Sequence, residues 1–463
     1  MITFATWPWQ HWARQTPHSI ALRVDDADWS WRNLVMRVDQ LAADWQRAGV
    51  FVGCGVALRG KNSLELLLAY LAALQCGARV LPLNPLLPAQ PLAERLATLN
   101  IEFGWCGRGL PWPGNIATLT INDAAVAVAP HLSWQVNRLA TLTLTSGSSG
   151  LPKAAAHTYA AHLASAAGVT RLMAFQHRHR WLLSLPLYHV SGQGIVWRAL
   201  AVGATLSLAP DQPLEQALAG CTHASLVPTQ LWRLLQDDPA QLSLRDVLLG
   251  GAMIPPELTR RAEALGVRCW CGYGLTEFAS TVCAKRADDS GGVGLPLEGR
   301  ELRLVDGEVW LRGSSMASGY WQQGRLMRLA DSDGWFHTRD AGRFVDGELH
   351  ISGRLDNVFF CGGEGVQPED IERILGAHPA VRQSFVVPVD DGEFGQRPVA
   401  VLDADAPFTE LRAWLEPQLA PWQRPVAYLS LGQVLPDRLS TGGIKIARGQ
   451  LTRLAQTHFA LNP

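Results

Sequence analysis

Along the first part of this chain, stretches whose apolar residues recur at helical spacing alternate with short continuous apolar runs. Asn62-Ser63 stands before Leu64–Cys76 and predicts a capped helix, apolar enough to be buried on every side. Ala78–Pro82 then reads as a parallel strand, and Ala140–Leu144 as another. Beyond it the pattern predicts a helix over Ala160–Leu172, a strand over Trp181–Leu185 and a helix from Gly194. Leu206–Leu208, Ala224–Val227 and Asp246–Leu249 read as further strands. Strands spaced by helices in this way predict parallel sheets covered on both faces, an α/β class.

From Gly294 to about Ser352 the spacing shortens to alternation, punctuated by Asp306-Gly307, Asp333-Gly334 and Asp346-Gly347. That pattern predicts an antiparallel or barrel-like subdomain. After Gly353-Arg354-Leu355-Asp356-Asn357 it changes again, to α+β: a helix over Pro368–Leu375, strands near Ser384–Val387 and Pro398–Leu402, and a short helix opening at Thr409. The expected division is therefore a large region, 1–353, and a small one, 354–463. A chain of 463 residues is too long for one core and agrees with more than one domain.

Composition narrows the classes. With 48% hydrophobic and 17% charged residues the chain reads as globular, and a net charge of −1 offers no basic field for nucleic acid. The first residues, Met1–Gln10, lack the charged start and apolar core of a signal peptide, and Leu64–Cys76 is too short to span a bilayer. The expectation is a soluble, cytoplasmic protein without membrane insertion; self-association stays open. Eight scattered cysteines form no C-x-x-C, and Cys269-Trp270-Cys271 has the wrong spacing for zinc, so free thiols are expected. The 18 tryptophans are dispersed, as packing residues are.

The chemistry concentrates in a few segments. Thr145-Ser146-Gly147-Ser148-Ser149-Gly150-Leu151-Pro152-Lys153 follows a strand and has what a loop needs to wrap a polyphosphate. Glycines expose backbone N–H groups, hydroxyls add donors, and Lys153 sets a mobile cation at the rim. Ala154 follows Lys153, so there is no Mg²⁺-binding hydroxyl of the G-x-x-x-x-G-K-[ST] kind. Alone, such a loop is more often a flexible connector. Gly272-Tyr273-Gly274-Leu275-Thr276-Glu277 offers a ring to stack on a base, a hydroxyl for a phosphate oxygen and a carboxylate for Mg²⁺; alone it reads as a glycine turn before a helix. Gly250-Gly251-Ala252 ends an apolar strand with bare backbone, which suits a flat ligand or a plain turn equally. Asp340, in Thr338-Arg339-Asp340, can accept from two ribose hydroxyls with Arg354 beside it, or make a surface ion pair. Lys445 sits on a glycine-flanked loop, where a lone lysine is usually solvated.

In this order and spacing the segments closely resemble the acyl-adenylate-forming superfamily of acyl-CoA synthetases, peptide-synthetase adenylation domains and luciferases, over nearly the whole chain. Leu185–Arg198, Gly272–Lys285 and Phe360–Pro368 look like the branch that acts on 2-succinylbenzoate in menaquinone biosynthesis. Ser149 stands where the superfamily usually has Thr, and Ile444 where Gly is common before the terminal lysine. The resemblance implies a large domain of stacked sheets with a barrel-like part at 294–353 and a mobile C-terminal lid hinged at Asp356. It implies ATP, Mg²⁺ and coenzyme A as cofactors or co-substrates, and two half-reactions: a carboxylate attacks the α-phosphorus of ATP, then the CoA thiol displaces AMP.

By the same resemblance, Thr145 to Lys153 cradles the β- and γ-phosphates, Glu277 holds Mg²⁺ and Thr276 binds the α-phosphate. Tyr273 flanks the adenine, Gly250, Gly251, Ala252 and Gly274 belong to the same cofactor-binding set, and Asp340 with Arg354 holds the ribose. Lys445 bridges carboxylate and α-phosphate in one lid orientation; Gly362 and Gly363 make room for pantetheine in the other. His189 is a candidate gate between acyl pocket and thiol tunnel, against the reading of a core histidine. The substrate is a dianion, so its aryl carboxylate needs a holder; Arg198, with Ser191 and Thr281 as hydroxyl donors and Gly192, Gln193 and Gly194 lining a compact pocket, is the candidate. A salt bridge on the helix is the bland reading of Arg198. Three other functions stay open on the sequence: a ligase for another aryl or short-chain acid, a silent nucleotide-binding protein of this fold, and an adenylation module for a separate carrier.

Overall fold

The computed structural model describes residues 3–87, 89–107, 110, 112–113, 116–122, 132–145, 152–236, 243–252, 254–361, 364–391, 393–435 and 446–461. Two eight-stranded sheets build the large region. The first runs in the order Arg325–Met327, Gly319–Gln322, Ala154–Thr158, Leu139–Leu144, Arg79–Leu83, Gly55–Arg59, Phe103–Cys106 and Ala117–Thr118. It is parallel from Leu139–Leu144 onward and antiparallel on the other side. The second runs Ser280–Arg286, Arg268–Leu275, Asp246–Leu249, His223–Leu226, Arg180–Leu182, Thr205–Leu208, Ile20–Val24 and Ala27–Ser30, parallel inside and antiparallel at both edges.

Helices Leu64–Gln75, Tyr159–Leu172 and Val190–Val202 lie between the sheets. One core joins Val56, Val80 and Ala140 of the first sheet to Trp181, Leu206 and Leu248 of the second through Leu67, Leu163 and Trp197 of the helices. Helix 64–75 is apolar all round, and only an interlayer position covers all of its faces. The Ser63 hydroxyl caps it, accepting from Leu66 N at 3.1 Å. Asn62 does something else: its amide donates to Leu183 O and Leu185 O at 3.2 and 2.9 Å. Those carbonyls are thereby taken out of a ladder, which is why the strand expected over 181–185 ends at Leu182.

The helix expected from Gly194 begins at Val190. Glycines at 192 and 194 lower its propensity, but packing decides: a Cβ at Gly192 would lie 2.1 Å from Pro186 O, so only glycine lets this turn seat under the preceding loop. Asp-Gly turns appear as expected, with Asp306 and Asp346 at φ 50° and 51° and Gly307 and Gly347 at 78° and 82°. The barrel-like grouping expected for 294–353 is an open four-stranded antiparallel sheet, Arg300–Val305, Glu308–Gly313, Phe336–Val345 and Glu348–Arg354. It stays open because Gly319–Gln322 and Arg325–Met327 leave it to extend the first large sheet.

The last region holds a five-stranded sheet, with Val381–Asp391 and Gly395–Ala404 as its long antiparallel pair and Ala427–Ser430 added in parallel. Helices Pro368–Gly376, Phe408–Leu415 and Arg448–Leu461 pack on it. Arg339 Nη2 donates to Asp356 Oδ1 at 3.0 Å, and the Arg382 guanidinium lies 5.4 Å from the Trp232 ring, so the two regions touch. All eight cysteines are free. Among the described residues no helix is long and apolar enough to cross a membrane.

Candidate active site

The hairpin of Arg268–Leu275 and Ser280–Arg286 carries much of the site. The segment read as a glycine turn before a helix is a strand with a bulge at Tyr273/Gly274, followed by the single 3-10 turn Thr276–Phe278. Gly274 is required there, since a Cβ would lie 2.1 Å from Ser280 O. Glu277 Oε1 accepts from the Tyr320 hydroxyl at 2.6 Å, and Glu277 O accepts from Ala317 N at 2.8 Å. The Lys153 ammonium stands 3.9 Å from the centre of the Tyr320 ring. Lys153, Tyr320 and Glu277 thus form one contiguous group. Burial and the Glu277 charge push the Tyr320 phenol up, so it stays a donor.

Next to it lies the proposed ribose side. The Tyr273 hydroxyl donates to Asp340 Oδ2 at 2.5 Å, and Arg354 Nη1 donates to Asp340 Oδ1 at 3.0 Å and to Thr338 O at 3.1 Å. Asp340 and Arg354 face each other across an antiparallel pair, and Asp340 is buried, so the bland reading of a surface ion pair fails. Arg354 Nη2 continues to Asp356 Oδ2 at 3.1 Å, and Arg339 Nη2 donates to Asp356 Oδ1 at 3.0 Å. Gly250 leaves its strand so close to the hairpin that a Cβ would lie 3.2 Å from Gly272 O. Gly251 follows at φ 81°, with Ala252 exposed beyond it.

The acyl candidate Arg198 is 1% exposed. Its Nη1 donates to Ser225 Oγ at 3.2 Å, and Nη2 to Ser280 Oγ and Thr281 Oγ1, both at 3.3 Å. The guanidinium carbon lies 5.1 Å from the Trp181 ring. Among the described residues no carboxylate pairs with Arg198, which removes the helix salt bridge as an explanation. Burial, with Arg300 nearby, pushes its pKa down to about 9. The turn that brings Ser280 to it is strained: Ala279 has φ 51° and Ser280 φ 107°. Ser165 Oγ holds it by donating to Ala279 O at 2.6 Å, and buried Arg300 holds Ser165 O at 3.1 Å.

Around Arg198, a Cβ at Gly194 would lie 3.3 Å from Nη2, so glycine keeps the guanidinium's position clear. Gln193 is fully buried, its Nε2 donating to Thr143 Oγ1 at 3.1 Å and Leu187 O at 3.2 Å. Gly192 is buried beneath Pro186, while Ser191, half-buried on the first turn, makes no hydrogen bond with Arg198 among those of the described residues. His189 precedes that turn, its ring 4.7 Å from that of Tyr188. Behind Thr276, burial pushes the His157 imidazole down to about 4, the Thr276 backbone opposing it in part. Ser146, Gly147, Ser148, Ser149 and Gly150 of the loop, Gly362, Gly363 and Lys445 lie outside the described residues; Thr145 directly follows the strand Leu139–Leu144.

Residues 9–321 match the family model described as AMP-binding enzyme, and residues 370–437 the one described as AMP-binding enzyme C-terminal domain. The chain belongs to the AMP-binding enzymes. Among curated members of this family it is 54% identical over 454 residues to the 2-succinylbenzoate–CoA ligase of Escherichia coli K12, covering 98% of this chain and 99% of that one. To the ligase of the same name from Haemophilus influenzae it is 45% identical, covering 96% and 97%. An arginine-to-lysine variant of E. coli MenE with bound OSB-AMS superposes with a TM-score of 0.93 at 53% identity, covering 99% of this chain and 100% of that one. The o-succinylbenzoate CoA synthetase of Bacillus subtilis, in complex with the acyl-adenylate intermediate OSB-AMP, gives 0.86 at 25% identity, with 96% and 98% covered.

For this AMP-binding enzyme, sequence reasoning missed Tyr320, Ser225, Ser280, Ser165 and Arg300. Each reaches the site from a different strand or helix; the local signs are the glycine at 319 before Tyr320 and, for Ser280, its place beside Thr281 within Gly272–Lys285.

Proposed function

We propose that this chain is an AMP-forming acid–thiol ligase that activates 2-succinylbenzoate with ATP and transfers it to CoA, giving 2-succinylbenzoyl-CoA, AMP and pyrophosphate in menaquinone biosynthesis. The observation that carries the substrate assignment is Arg198, buried and, among the described residues, hydrogen-bonded to three hydroxyls with no carboxylate beside it. An unpaired buried guanidinium is costly, and an aryl carboxylate supplies the missing charge bidentately. Ser280 and Thr281 lie on the hairpin that carries Thr276 and Glu277, so one element ties the acyl anchor to the phosphate side.

In the first step an oxygen of the succinyl carboxylate bonds to the α-phosphorus, and the bond to pyrophosphate breaks. In the second the CoA sulfur bonds to the acyl carbon, loses its proton, and AMP leaves. Lys153, Thr276 and Arg354 act by placing donors around a polyanion before the reaction begins. Glu277 suits Mg²⁺, a cation that takes few protein carboxylates and keeps phosphates and waters: one of its oxygens is fixed by Tyr320, and the other has no hydrogen bond among those of the described residues. When bound, the cation neutralises phosphate charge.

Residues 1–353 and 354–463 would be the two domains, turning about Asp356, which now joins Arg339 to Arg354. Lys445→Ala is expected to suppress adenylation far more than thioester formation from supplied acyl-adenylate; equal losses would contradict the two-orientation scheme. The eight free thiols suit a reducing, cytoplasmic setting. The test of the substrate is pyrophosphate release from Mg-ATP with 2-succinylbenzoate, benzoate, phenylbutyrate and octanoate. Release by 2-succinylbenzoate alone is expected; a better rival acid would overturn the assignment.

A further inference from the structure

We propose that Tyr320 is the positioning residue of the metal and phosphate side: its hydroxyl orients the Glu277 carboxylate for a divalent cation, and its ring keeps the Lys153 ammonium beside the phosphates without neutralising it. The proposal rests on the reading of the chain as an ATP-using ligase.

Three connections fix Tyr320. Its strand pairs antiparallel with Ala154–Thr158, so Tyr320 lies opposite Ala155, two residues beyond Lys153. The backbone just before it is pinned to two elements, by Ser318 N to Ala156 O and Ala317 N to Glu277 O, each 2.8 Å. The side chain then reaches Glu277 with its hydroxyl, at 2.6 Å, and Lys153 with its ring, at 3.9 Å.

The chemistry of that arrangement is specific. Lys153 and Glu277 both approach Tyr320, yet among the described residues no ion pair joins them. A direct pair would spend the ammonium and the carboxylate on each other and leave neither for MgATP. A neutral hydroxyl holds one carboxylate oxygen and leaves the charge on the group, as partners of metal ligands do. An aromatic face attracts the ammonium through its quadrupole and leaves it cationic. Tyr320 therefore separates two opposite charges while placing both.

Tyr320→Phe removes the hydroxyl and keeps the ring; Tyr320→Leu removes both. Binding of ATP, without acid, is measured by calorimetry across a Mg²⁺ series, beside binding of an acyl-sulfamoyl adenosine, which carries neither β- nor γ-phosphate. Tyr320→Phe is expected to need about 10-fold more Mg²⁺ for half-maximal ATP binding. At saturating Mg²⁺ its ATP affinity should match the wild type, while Tyr320→Leu loses about 3-fold there. Both variants should bind the sulfamate as the wild type does. An unchanged Mg²⁺ requirement in Tyr320→Phe overturns the proposal, and so does an equal loss of sulfamate affinity, the sign of a merely structural role. A wild-type chain that binds neither ATP nor the sulfamate overturns the ligase reading instead, and this proposal with it.

Discussion

Arg448, half-buried, and Arg198, fully buried, hold their guanidinium groups in opposite company. Arg448, at the start of the last helix, donates from Nη1 to Glu372 Oε1 at 2.7 Å and from Nη2 to Glu372 Oε2 at 3.0 Å, with Glu369 at 3.4 Å. Glu372 is itself buried and accepts from Val386 N at 2.6 Å. Arg198 is more deeply buried and meets three hydroxyls and an indole face. The titration follows the company: despite burial, the Glu372 charge pushes Arg448 up, while burial pushes Arg198 down to about 9. A paired arginine such as Arg448 has its counter-charge within the fold. One that meets only hydroxyls and an indole has, on the proposed reading, an anion from outside as its partner.

Substitutions should separate the two roles. Arg198→Met is expected to cut 2-succinylbenzoate-dependent pyrophosphate release by about 100-fold or more, the scale of a lost charged contact, with no drop in melting temperature. A variant that unfolds earlier while keeping its activity would turn Arg198 into a structural residue. Glu372→Ala should do the reverse. It leaves Arg448 with only the longer Glu369 contact and is expected to cost about 3 kcal/mol in denaturant unfolding, with the preference among acids unchanged. A double replacement, Glu372→Leu with Arg448→Met, should recover most of that loss.

The smallest effect concerns a third buried base. Burial holds His157 down to about 4, below its usual 6.5, so the folded protein favours the neutral ring. Its contribution is full above pH 6.5 and is lost as pH falls towards 4, because the unfolded chain takes up the proton first. The expected loss between pH 6.5 and 5 is about 1–2 kcal/mol, absent in His157→Gln. An unaltered pH slope in that variant would assign the acid sensitivity elsewhere.

Much of the layered fold is legible in the sequence because burial leaves a local mark. An all-apolar helix such as 64–75 has nowhere to lie but between sheets, and Asp-Gly turns announce hairpins. Boundaries set by distant partners are not legible: Asn62 ends a strand more than a hundred positions away, and Pro186 starts a helix at Val190 that its glycines place later. The site divides in the same way. Lys153, Glu277, Asp340 and Arg354 sit in segments whose order along the chain is distinctive. Tyr320 and Ser225 lie outside those segments, and Ser280, though within Gly272–Lys285, is not singled out there, because a single hydroxyl gains its partner only through what the fold sets opposite it.

The claim that Arg198 waits for the aryl carboxylate is tested most directly by a cycle that removes each partner in turn. Affinities of wild type and Arg198→Met are measured for 2-succinylbenzoate and for 3-benzoylpropionate, the same acid without its aryl carboxylate. The wild type should prefer the dianion by about 100-fold, and Arg198→Met should show almost no preference, the two losses being one and the same interaction. If Arg198→Met still discriminates between the two acids as the wild type does, the aryl carboxylate is held elsewhere and the account of the pocket is wrong.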